Sequence, residues 1–111
     1  MELQGSPARR VLDGIRGSLD GFDAGQVARG ERLECVQLAR GLASRLTALA
    51  AMLLARADAT QESMSTTGTP TTSWLTLKGG LSKREAAGFL HQAHHLAAHP
   101  EVAGAATAGR I

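Results

Sequence analysis

The chain has 111 residues, of which 43% are hydrophobic, 20% charged and only 3% aromatic, and its formal net charge is +2. Its 20 Ala and 15 Leu stand against four Val, two Ile, two Phe, one Trp and no Tyr, a balance that favours helix and argues against a β-sandwich or a doubly wound sheet. The single cysteine, Cys35, rules out an internal disulfide and fits a reducing compartment.

Taken in chain order, the first expected helix runs from Pro7 to about Leu19, with Val11, Leu12, Ile15 and Leu19 at helical spacing and weakened by Gly14 and Gly17. The second is longer, from about Ala24 to Ala57. In it Cys35, Leu38, Leu42, Leu46, Leu49 and Leu53 recur with a mean step of about 3.6 residues, which predicts a straight amphipathic helix with that stripe as its buried side. Residues 58–72 turn polar, rich in Thr and Ser with Gly68 and Pro70, and read as a loop or linker. A short helix around Ser73–Lys78, with Trp74 and Leu77 as its buried side, ends at Gly79-Gly80. Ser82 and Glu85 then form an S-x-x-E capping box opening a helix to Ala98, with Ala86, Phe89, Leu90, Ala93, Leu96 and Ala97 on one side. Pro100 opens a last short helix, closed near Ala108.

The expected architecture is therefore all-α: one long amphipathic helix packed with several shorter ones, and a helix-turn-helix-like C-terminal part. It divides as an N-terminal helical hairpin over 1–57, the polar linker 58–72 and a C-terminal helical part over 73–111, together one domain. Met1–Arg10 lacks the apolar core of a secretory signal, and the longest uninterrupted apolar run, Ala48–Ala55, is far short of the ~20 residues that span a bilayer. A soluble, cytoplasmic protein with no membrane contact is expected.

Candidate chemistry is concentrated in the last third, which carries the whole positive excess and all four histidines. Short helix, glycine turn and longer helix together have the outline of a helix-turn-helix, whose second helix presents its N-terminal residues to DNA. Lys83 and Arg84 lie in that first turn, where a docked phosphate would gain from the helix dipole and both cations, with Lys78 just before the turn. The plainer alternative is a solvated start to one of two ordinary packed helices. His91, His95 and His99, at i, i+4 and i+8, line one stripe with Arg84, and His94 lies at its edge. Such a pair can share a metal ion, but no Cys and only Glu85 and Glu101 stand nearby, so neither metal nor cofactor is assigned. Cys35 reads as a small core residue and Trp74 as the anchor of a thin core. No phosphate-binding glycine loop, serine elbow or C-x-x-C pair is present.

Three features of residues 72–111 point to a family: Trp74-Leu75, the G-L-S-x-x-E-A of Gly80–Ala86, and Ala93–Leu96 as A-x-x-L. With the closing P-x-V-x-x-A-x-x-x-G-R-I of Pro100–Ile111, the segment resembles the actinobacterial domain of unknown function 222, or 13E12-repeat, family. The resemblance over 1–71 is compositional only. It implies the helical region that precedes an HNH endonuclease domain, and hence a DNA-related context. It does not carry over catalysis, because an HNH site needs an Asn and this chain has none. The family pattern continues past Gly-Arg-Ile, so a natural short member, a truncated gene or the N-terminal piece of a longer product is expected. The leading expectation is a non-catalytic, nucleic-acid-associated module using Lys83 and Arg84, with Lys78, His91 and His95 as auxiliaries. The alternative is an interaction domain whose long helix pairs with another copy or another chain, and a third reading is a metal-dependent enzyme built on the histidine stripe.

Overall fold

The computed structural model describes residues 5–111, which fall into two compact units divided between Cys35 and Val36. The described residues hold six α-helices, two short 3-10 turns and no strand, so the protein is all-α. The reading of Met1–Arg10 rests in part on residues outside that range.

In the first unit α1 spans Pro7–Asp20. The Ser6 side chain accepts from the Arg9 N–H and Pro7 occupies the first turn, a start that leaves few orphan donors. Asp13 holds Arg16 at 2.9 Å and Arg9 at 3.5 Å on the polar side. No residue of α1 is buried, and Val11, Leu12, Ile15 and Leu19 are all exposed. Two 3-10 turns follow at Ala24–Gln26 and Arg29–Glu31, where the sequence pattern predicts helix already. The local reason is Asp23, whose carboxylate accepts from the Gly25 N–H and closes a tight turn instead.

Helix α2 spans Arg32–Ala59. With the preceding turn it makes a 31-residue helical stretch that is long and apolar enough, by length and composition, to cross a membrane, 18 of its residues in a row reaching a mean hydropathy of 1.4. A count of uninterrupted apolar residues does not reveal this stretch. Arg40 and Arg45 interrupt the run, and the Arg45 Nε donates at 2.9 Å to the Thr107 carbonyl.

The second unit places α3 at Glu62–Thr67, α4 at Thr71–Leu77, α5 at Lys83–Ala98 and α6 at Pro100–Thr107. Its core is one cluster: Ala51, Leu54 and Ala55 of α2, Leu75 of α4, Ala86, Ala93 and Leu96 of α5, and Ala103 of α6. Trp74, Phe89, Leu90, Met52 and Val102 pack around it half-buried. The anchors are small. Ala51, Ala86 and Ala93 are fully enclosed, while no large side chain is sealed from solvent; the close helix approaches are those of α5 with α4 and α6 and of α3 with α4.

The polar stretch expected as a loop is largely helical. Its hydroxyls supply the hydrogen bonds that apolar contacts do not: Ser63 donates to the Thr69 carbonyl at 2.7 Å, Thr67 to the Ser63 carbonyl at 2.8 Å, and Thr66 to the Glu62 carbonyl at 3.0 Å. In α4 the buried side is Leu75, with Trp74 half-buried, and Leu77 is exposed, contrary to the sequence reading. In α5, Ala97 is likewise exposed.

The turn between α4 and α5 has tight backbone requirements. Gly80 sits at φ +72°, and a Cβ on Gly79 would lie 2.7 Å from the Leu75 carbonyl oxygen. That same oxygen accepts from the Leu81 N–H, which fixes the path into α5. Gly80→Ala is expected to cost about 1–2 kcal/mol through left-handed strain, and Gly79→Ala at least as much. Thermal unfolding should show each as a fall in Tm of ~4–8 °C per kcal/mol. Unchanged melting of both variants would contradict this account of the turn.

Candidate functional site

The α4–α5 corner assembles the cations singled out from sequence. Lys78 follows the last residue of α4, its N–H donating to the Trp74 carbonyl at 2.8 Å. There its charge complements the negative end of the helix dipole. Lys83 and Arg84 open α5, and Lys83 lines a shallow groove with Thr72, Ser73, Thr76 and Ala87. All three cations are exposed, and none joins an ion pair.

The capping box is formed in full. The Ser82 N–H donates to Glu85 Oε1 at 2.9 Å and the Glu85 N–H donates to Ser82 Oγ at 3.1 Å. The Ser82 backbone N–H first, and the Ser82 hydroxyl after it, hold the Glu85 carboxyl below its ordinary value. Two donors that an anion would use are thereby already engaged, and a carboxylate stands among them. Only the Lys83 and Arg84 N–H groups remain open at this helix start.

His91 and His95 are exposed on the side of α5 that also carries Arg84, opposite the buried Ala86 and Ala93. The His95 and His99 rings lie 4.6 Å apart. His94 is drawn elsewhere: its Nε2 hydrogen-bonds Asp58 Oδ2 at 2.8 Å, and Asp58 Oδ1 accepts from the Thr71 hydroxyl at 2.6 Å. One carboxylate thus ties the end of α2 to the start of α4 and the middle of α5. Among the described residues no three of His, Cys, Asp and Glu come together in a metal-binding group. The Asp58 junction escaped the sequence reading because its partners are 13 and 36 residues away.

The largest departure concerns α2. The stripe expected to be buried is on the outside: Leu38 is 61% exposed, Leu42 54%, Leu49 37% and Leu53 49%. Cys35 and Leu46 on the same stripe are half-buried. The side that packs carries Ala48, Ala51, Leu54 and Ala55, about 180° away around the helix. The helix therefore has two apolar faces, one of small residues turned inward and one of leucines turned outward. Periodicity reports that both exist but favours the bulkier, whereas the face that joins the core cluster is the one with Ala51, Leu54 and Ala55.

The Thr71 hydrogen bond, then that of His94, lower the Asp58 carboxyl below its ordinary value. Its stabilising contribution is complete above the unfolded value of about 3.9 and is lost as the pH falls through the lower, folded one. Urea unfolding should show Asp58→Asn about 1 kcal/mol less stable than wild type at pH 7, with that margin shrinking below pH ~4. A margin independent of pH would show that the charge is not what matters. Compared with protein-family profiles, curated proteins and solved structures, this chain matches none.

Proposed function

We propose that this chain is a non-catalytic helical association module whose working surface is the outer leucine face of α2. One observation carries the reading: Leu38, Leu42, Leu49 and Leu53 stand exposed in line, on the side of α2 opposite the core. Isolated exposed leucines are ordinary, but a contiguous apolar row along a helix marks a contact surface. Substituting Leu42 and Leu49 by Lys leaves the inner face untouched, so folding should survive. Sedimentation velocity combined with affinity capture from the source cells should then show wild type in a stoichiometric complex, with itself or with another chain, that the Leu42→Lys/Leu49→Lys variant loses. Identical behaviour of the two proteins would remove this proposal. We place the module, soluble, in the cytoplasm.

A second reading, contact with nucleic acid, is favoured by Lys78, Lys83 and Arg84, three exposed cations without ion pairs around one corner. His91 and His95 extend the same side of α5 from Arg84. The resemblance of residues 72–111 to the domain of unknown function 222 family supports a DNA-linked setting for it. Duplex DNA titrated against salt should show binding whose logarithmic slope falls by about 2 in Lys83→Ala/Arg84→Ala, at ~0.9 per phosphate contact. Absence of binding at low salt, or a slope untouched by the substitutions, argues against it.

A further inference from the structure

Resting on the association reading above, we infer that the partner of the outer α2 face is a second copy of this chain, laid antiparallel across a two-fold axis midway between Arg45 and Leu46.

The spacing of the leucines carries the symmetry. Leu42 and Leu49 are equally far from that midpoint, and so are Leu38 and Leu53. An antiparallel copy therefore sets Leu38 against the second copy's Leu53 and Leu42 against its Leu49, and the same contacts repeat on the other side of the axis. This is the self-complementarity that an isologous interface requires. Leu46 lies next to the axis and meets its own copy.

The edges of the stripe agree. At 100° per residue, Glu34, Arg45 and Arg56 fall along one edge and Ala39 and Ala50 along the other. Small residues on an edge permit close approach of two helices. A two-fold axis perpendicular to the helices keeps each edge facing its like. Glu34 in the first turn of α2 and Arg56 in its last turn then lie at nearly the same height on opposite copies, giving two ion pairs. A parallel pair, whose two-fold axis runs along the helices, would instead set the Glu34–Arg56 edge of each copy against the Ala39–Ala50 edge of the other and form neither ion pair. Arg45 is the one charge near the axis on that edge, and its guanidinium is already committed to the Thr107 carbonyl at 2.9 Å.

Cys35 provides an internal marker. Antiparallel pairing sets it opposite Arg56 and keeps the two Cys35 thiols about 30 Å apart along the helix axis, whereas parallel pairing would bring them together.

Sedimentation equilibrium of the full chain, with copper–phenanthroline oxidation in air, tests the arrangement. Wild type should be a dimer that does not cross-link through Cys35. Cys35→Ser/Leu46→Cys should form a disulfide-linked dimer. Glu34→Arg and Arg56→Glu should each raise the dimer dissociation constant ~5-fold or more at low salt, and the double reversal should restore it. A wild-type monomer at all concentrations, rapid Cys35 cross-linking, or a double reversal as weak as the singles would each overturn the pairing. A monomeric wild type that still holds a stoichiometric partner lost in Leu42→Lys/Leu49→Lys overturns self-pairing alone and leaves the association reading standing.

Discussion

Enclosure of alanines where larger side chains would ordinarily sit is the constraint on which the second unit depends. Ala51 of α2 and Ala86 and Ala93 of α5 are sealed from solvent, while the largest apolar side chains, Trp74 and Phe89, stay half-buried at the margin. A core of this kind gains little from each residue, since Ala carries few apolar atoms to remove from water. Between α5 and its neighbours α4 and α6 it works through proximity, because a small side chain lets a neighbouring backbone come near. The same constraint makes the polar contacts unusually consequential. Asp58 with Thr71 and His94, Arg45 with the Thr107 carbonyl, and Ser63 with the Thr69 carbonyl each join segments that the thin core holds only at a few points.

Much of the fold is legible in the sequence. The Ser82–Glu85 capping box, the Pro7 and Pro100 helix starts and the Gly79-Gly80 break are local signals with local causes, and the structure realises them. The polar stretch after α2 is not legible in that way. Its helix α3 is supported by hydroxyl-to-carbonyl bonds, and Thr and Ser serve loops and such bonded turns equally well.

The inversion of α2 has a different origin. A hydrophobic periodicity gives the direction of greatest apolar weight around a helix, and in α2 that direction is the leucine row. Which face is buried depends on what the other helices offer. Here α4, α5 and α6 offer Leu75, Leu96 and further alanines, a surface that accepts a flat alanine face and leaves the leucines outside. Of the candidate site, the positions of Lys78, Lys83 and Arg84 around one corner follow from the turn motif alone. The engagement of His94 by Asp58 needs the tertiary structure, as does the exposure of the leucine row.

Two apolar faces on one helix also create a rotational ambiguity during folding. Turned half a revolution about its own axis, α2 would present its leucine row to α4–α6 and the face of Ala48, Ala51, Leu54 and Ala55 to water. Hydrophobic collapse alone does not distinguish the two settings. The polar attachments do, since the half-turn would carry the Asp58 carboxylate away from Thr71 and His94, and Arg45 away from the end of α6. These few hydrogen bonds thus act as keys that select one rotational setting of α2 from two of comparable greasiness, and their weight lies in the uniqueness of the native state more than in its depth.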